Sequence, residues 1–172
     1  MKKWHFVLFG FICLLAIILF IVFNFFVFKT DYKSFVEKYS AEYGLEEEFV
    51  YAIIKAESDF DEKAVSKSGA LGLMQIIPST AKWIAEEFDE IYSKEALLTS
   101  ETNIKYGCFY LNYLFSKFKN IDVVICAYNA GEGVVDDWLD ENGVLIEDKI
   151  SYKETKVYYS RVKSFYEVYK NQ

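Results

Sequence analysis

The stretch Phe49-Val50-Tyr51-Ala52-Ile53-Ile54-Lys55-Ala56-Glu57-Ser58 carries apolar residues at helical spacing, with Phe49, Val50, Ile53 and Ile54 on one face. Glu46, Glu47 and Glu48 precede it, where carboxylates suit the positive end of a helix dipole, and the helix is expected to end near Asp59. Counting back by four from Glu57 gives Ile53 and then Phe49, so this carboxylate shares the apolar face. Burial and the negative end of the helix dipole both raise the pKa of a carboxyl so placed, and a carboxyl kept protonated near neutrality can donate a proton. The plain alternative is a helix-end glutamate turned to water or capping the loop beyond. Periodicity alone does not choose between the two.

Working outward, Tyr32, Phe35, Val36, Tyr39 and Tyr43 recur at helical spacing and Gly44 supplies a left-handed stop, which predicts a helix over Asp31 to Tyr43. Downstream, Ser66 to Ile77 holds the turn formers Ser68, Gly69 and Gly72 and a short apolar run, Leu73 to Ile77. That pattern predicts a loop with an extended segment. Pro78, Ser79 and Thr80 give helix-start chemistry for Ala81 to Phe88, with Trp83, Ile84 and Phe88 expected to face inward. Ile104, Cys108, Leu111, Phe115 and Phe118 mark a long helix, and Val123 to Ala130 a shorter one folded back on it. Glu154 to Tyr169 forms the last, with Tyr158, Val162, Phe165 and Tyr169 on one stripe. The sequence contains no internal repeat, alternating strand series or linker, so the expectation is a mainly α fold.

The chain has 172 residues, 53% of them hydrophobic, and a formal charge of −7, which excludes disordered and low-complexity classes. Much of the apolar surplus lies in Trp4 to Phe28, a 25-residue run without a charge. As a helix it reaches about 37 Å against a hydrocarbon core of about 30 Å, so it predicts one membrane span. A cleaved secretory signal is the competing reading, but Phe20 to Phe28 is bulky where small residues are required. The expected division is an anchor over residues 1–28 and one domain over 29–172. Basic residues flank the run on both sides and leave its orientation open.

With Lys2 and Lys3 inside the anchor and no acid before residue 29, the rest keeps all 26 acids against 17 bases, a formal charge of −9. Such a domain is a poor partner for nucleic acid. Cys108 and Cys126 fall at apolar helix positions and read as buried thiols, with an extracellular disulfide as the alternative. His5 is the only histidine and belongs to the anchor, so neither a metal site nor a cofactor is expected.

Several blocks then occur in order: Tyr43-Gly44-Leu45, Glu57-Ser58, Ser66 and Gly69, Gly72-Leu73-Met74-Gln75-Ile76 with Pro78-Ser79-Thr80-Ala81, Asn103-Ile104 to Gly107, Ala127-Tyr128-Asn129-Ala130-Gly131, and Glu154-Thr155 with Tyr158. Over roughly residues 32–169 this resembles the catalytic domain of the soluble lytic murein transglycosylase family, lysozyme-like enzymes of peptidoglycan. The resemblance implies a lysozyme-like helical domain in which Glu57 protonates the glycosidic oxygen between N-acetylmuramic acid and N-acetylglucosamine. Glu57 then deprotonates the muramic 6-hydroxyl, which closes a 1,6-anhydro ring without water. It further implies that Ser66, Met74, Gln75, Tyr128, Asn129, Glu154 and Tyr158 line the saccharide cleft. Their chemistry suits this: amides and hydroxyls for acetamido groups, Tyr128 a flat face, Met74 adaptable apolar contact, and Tyr158 an orienting bond to Glu57. Simpler roles stand beside these, with Met74 in the core, Asn129 capping its helix and Glu154 a helix-start charge.

Ordinary glycosidases use two carboxylates. Here Asp59 faces away along the helix, Asp61 and Glu62 fall in the departing loop, and no acid lies between Lys63 and Pro78. Ser151 and Tyr159 depart from the family's usual proline and valine. The implied function is a membrane-tethered lytic transglycosylase acting on glycan strands outside the cytoplasmic membrane. Its rivals are a hydrolytic muramidase similar to goose-type lysozyme and a catalytically idle glycan-binding scaffold.

Overall fold

The computed structural model describes residues 2–27 and 30–171. It divides into two compact units, Met1–Asp31 and Tyr32–Gln172. The boundary expected at residues 28 and 29 lies outside the described residues.

The first unit is one helix, α1 (Lys2–Val27). Its described apolar side chains at positions 8–19 are exposed, as is Trp4. Among the described residues no helix is long and apolar enough to cross a membrane.

The second unit comprises α2 (Lys33–Tyr43), α3 (Glu47–Ser58), α4 (Pro78–Glu87), α5 (Lys94–Leu97), α6 (Ser100–Phe118), α7 (Ile121–Ala130), α8 (Glu132–Val135) and α9 (Lys153–Lys170), with 3-10 turns at Asp136–Trp138 and Glu147–Lys149. Among the described residues there is no strand, only isolated bridges that include Val65 with Leu71 and Leu71 with Ile76. The mainly α expectation holds, and Leu71 and Ile76 supply the extended character expected of that loop.

Local chemistry fixes the helix ends. Gly44 adopts φ 65° and its N–H caps the α2 carbonyls. Pro78 occupies the first turn of α4, where a missing N–H costs nothing, while the Ser79 and Thr80 side chains do not cap it. Asn120 caps α7, its side chain accepting from the N–H groups of Asp122 and Val123.

The core forms where α3 meets α6 and α9. Phe49, 2% exposed, meets Phe115 and Tyr166 edge-on at 5.6 and 5.5 Å, and Tyr51 stacks on Tyr169 at 5.5 Å. Burying an aromatic of this size contributes about 2–3 kcal/mol. Ile84 is buried as expected, but Trp83 is only half-buried and packs against Tyr113 at 5.0 Å. Cys108 and Cys126 are buried free thiols whose pKa values burial raises.

Candidate active site

The loop between α3 and α4 is suspended from three side chains. Ser58, in the last turn of α3, donates to the Leu73 carbonyl at 2.8 Å, and Tyr128 on α7 donates to the Met74 carbonyl at 2.8 Å. Asn103 on α6 is 1% exposed and fully engaged. Its Oδ1 accepts from the Met74 N–H at 2.7 Å, and its Nδ2 donates to the Leu71 and Leu97 carbonyls at 2.9 and 3.0 Å. Gly72, at φ 74°, lies so close to Asn103 that a Cβ there would collide with the amide.

These ties present Gln75 to the cleft. Its backbone sits at φ 48°, in the left-handed region, held by Nε2 bonds to the carbonyls of Gly72 at 2.8 Å and Ala64 at 3.2 Å. No described bond uses its Oε1, which remains for a ligand donor. Ser66 closes the neighbouring turn by accepting from the Ala70 N–H at 2.9 Å.

Around Glu57 the cleft has two lobes, of about 330 and 550 Å3, which share Glu57, Ser66, Gln75, Asn129 and Glu154. Tyr128 lines the first and Tyr158 the second. Six of the seven expected saccharide-binding residues therefore converge on one cleft with Glu57. Met74 is the exception: its side chain is fully buried and packs so tightly on Gly107 that any side chain there would overlap its sulfur. Its placement corrects the expectation of a cleft contact, because the glycine on α6 opens a pocket in the core that the flexible thioether fills.

Glu57 keeps part of its surface open to the cleft, yet burial of the carboxyl is the largest influence on it and pushes its pKa up to about 7. The Tyr158 hydroxyl lowers it next, then the Arg161 guanidinium, and Glu154 raises it. The Tyr158 hydroxyl is buried beside the carboxyl and makes no full hydrogen bond to it. Asn129 does not merely cap its helix: Gly131 does that, while Asn129 accepts from Thr155 at 2.8 Å and so joins α7 to α9.

Arg161, Lys153 and Tyr110 also line the lobes and did not emerge from the sequence. A signal for Arg161 existed, since Glu154, Tyr158 and Arg161 are spaced by four and three and so share one helix stripe. Among the described residues no cluster of His, Cys, Asp or Glu is placed to hold a metal.

A lysozyme-like helical domain, with a half-buried glutamate in a cleft of polar hydrogen-bonding groups, is the class that fold and site define. The chain belongs to the Transglycosylase SLT domain family, whose pattern it matches over residues 34–151. It is similar to the soluble lytic murein transglycosylase of Escherichia coli K12, 33% identical over 146 residues that cover 80% of this chain and 23% of the relative. It also resembles the membrane-bound lytic murein transglycosylase C of Pectobacterium atrosepticum, 36% identical over 121 residues, 60% of this chain and 32% of that one. The chain thus spans about a quarter to a third of the length of these relatives.

Among solved structures, an inactive mutant of the lytic transglycosylase Slt from Pseudomonas aeruginosa superposes with a TM-score of 0.77 at 31% identity, covering 84% of this chain and 24% of that one. The 70-kDa soluble lytic transglycosylase of Escherichia coli gives 0.76 at 32% identity, covering 84% and 25%, and a complex of a 70-kDa soluble lytic transglycosylase with bulgecin A gives 0.74 at 31%, covering 82% and 24%.

Proposed function

We propose that this chain is a lytic transglycosylase that cuts the β-1,4 bond between N-acetylmuramic acid and N-acetylglucosamine in peptidoglycan. The observation that carries this reading is Glu57, a half-buried acid in the cleft whose pKa burial pushes up to about 7. A carboxyl poised there can both give and take a proton at neutral pH. Glu57 gives its proton to the departing glucosamine oxygen as the C1–O bond breaks. As carboxylate it then takes the proton of the muramic 6-hydroxyl, whose oxygen bonds to C1 of the same sugar. The 2-acetamido group helps stabilise the intermediate, and no water enters. Ser66, Gln75, Tyr128, Asn129, Glu154 and Tyr158 hold the strand. The names of the relatives support this substrate.

The charge-free run Trp4 to Phe28 supports a membrane anchor with the enzymatic domain outside the cytoplasmic membrane, and one relative carries the description membrane-bound. A tether raises local concentration, so an acidic domain need not be steered to its target by charge. Resistance of the full chain to alkaline extraction, with release by detergent, is the expected result.

One observation favours a second reading. Glu154 is a further carboxylate of the cleft, and a hydrolytic muramidase needs such a group to activate water. Glu154 is exposed, which suits a strand contact better than a catalytic base. Incubating murein sacculi with the purified full chain tests the enzyme reading. Release of soluble fragments that disappears in Glu57→Gln is expected, and equal release by both proteins contradicts it.

A further inference from the structure

Arg161 is the only arginine in the chain, and α9 carries it to the acid. Its Nη2 donates to the Ala56 carbonyl at 2.7 Å, one residue before Glu57, and its guanidinium carbon lies 5.8 Å from the centre of the Tyr158 ring. Ala56 belongs to the last turn of α3, whose carbonyls lack partners inside the helix and form its negative pole. One side chain thus grips the backbone beside Glu57 and the ring whose hydroxyl faces it.

We propose that Arg161 is a positioning residue for Glu57, bracing the last turn of α3 and the Tyr158 ring so that the carboxyl stays aimed into the cleft. The inference rests on the reading of Glu57 as the reacting acid. A planar guanidinium can bond the carbonyl with its edge and cover the ring with its face, whereas an ammonium offers only charge. The charge has its own effect, because a cation at the negative pole favours the ionised form of Glu57, the form that must take the second proton.

The groups facing Glu57 are Glu154, Tyr158 and Arg161 from α9 and Tyr128 from α7. Burial holds both tyrosines well above the ordinary value, so they stay neutral through the working pH range. Glu154 and Arg161 are then the charges that act on it, and Lys153 lines the same lobe.

The test is the pH profile of the detergent-solubilised full chain on murein, comparing wild type with Arg161→Gln and Arg161→Lys. Arg161→Gln is expected to lower kcat about tenfold and to move the alkaline limb of kcat/KM up by about half a pH unit, as suits a partly screened charge. Arg161→Lys should return the limb to its wild-type position while kcat stays low. An unmoved limb in Arg161→Gln, a Lys variant that behaves like the Gln variant, or wild-type kcat in both overturns the proposal. If wild type releases nothing from murein, the reading of Glu57 as an enzyme acid fails. The Glu57 carboxyl titration, followed by carbon NMR in the same proteins, then decides the bracing role: an upward shift in Arg161→Gln supports it, and no shift contradicts it.

Discussion

The Tyr128 hydroxyl donates to the Met74 carbonyl at 2.8 Å across 54 positions of sequence. That bond fixes one wall of the cleft to another, because the same loop places Gln75 at its left-handed φ of 48°. Tyr128→Phe keeps the ring and removes the tether. It should lower kcat/KM on murein about tenfold while costing about 1 kcal/mol of stability in denaturant titration.

Asn103 holds the same loop from beneath. Asn103→Ala frees the Met74 N–H and the Leu97 carbonyl, while the Leu71 carbonyl keeps the Ile76 N–H at 3.1 Å; the N–H is the most costly to leave unpaired in the interior. A loss of about 2–4 kcal/mol in denaturant unfolding is expected. A loss below 0.5 kcal/mol contradicts the role assigned to it.

Met74 separates packing from binding. With its side chain fully buried against Gly107, Met74→Leu should leave KM unchanged and cost under about 1.5 kcal/mol. Met74→Ala should cost about 2–5 kcal/mol through the cavity it opens. A rise in KM for the leucine variant at unchanged stability would return Met74 to the cleft.

Glu57 ties activity and stability to pH in the same direction. Its pKa is about 7 in the folded chain against an ordinary carboxyl value of 4.5, so between these limits the folded state binds the extra proton. Its contribution to stability is therefore present in full below about 4.5 and is lost as pH rises through about 7. As the donor, it must be protonated, so kcat/KM should fall above about pH 7. Glu57→Gln should abolish the release of fragments, by about 100-fold or more, and flatten that part of the stability profile, measured as Tm against pH. A Tm profile of the same shape in both proteins contradicts the buried placement of the acid.

The long helices were legible because their apolar stripes and stops are local. Gly44 ends α2, and the face Phe49, Val50, Ile53 and Ile54 is buried as its spacing predicts. The four-residue helices α5 and α8 were not legible, since one turn is too short to show a period. The sequence predicts Trp83 to face inward with Ile84 and Phe88, yet Tyr110 and Tyr113 on α6 gather it into a surface cluster. Glu57 lay open in the sequence, while Met74 turned on a glycine 33 positions away and Arg161 on a backbone carbonyl 105 positions away. Such partners are set by packing between helices, and no local spacing encodes them.

The most direct measurement is mass spectrometry of the glycan ends released from murein by the full chain, with Glu154→Gln alongside. The expected ends are 1,6-anhydromuramic, lighter than reducing ends by one water, and the Glu154 variant should give the same ends more slowly. Reducing muramic ends, lost when Glu154 is replaced, would show that water is the nucleophile and that Glu57 does not act as the sole carboxylate.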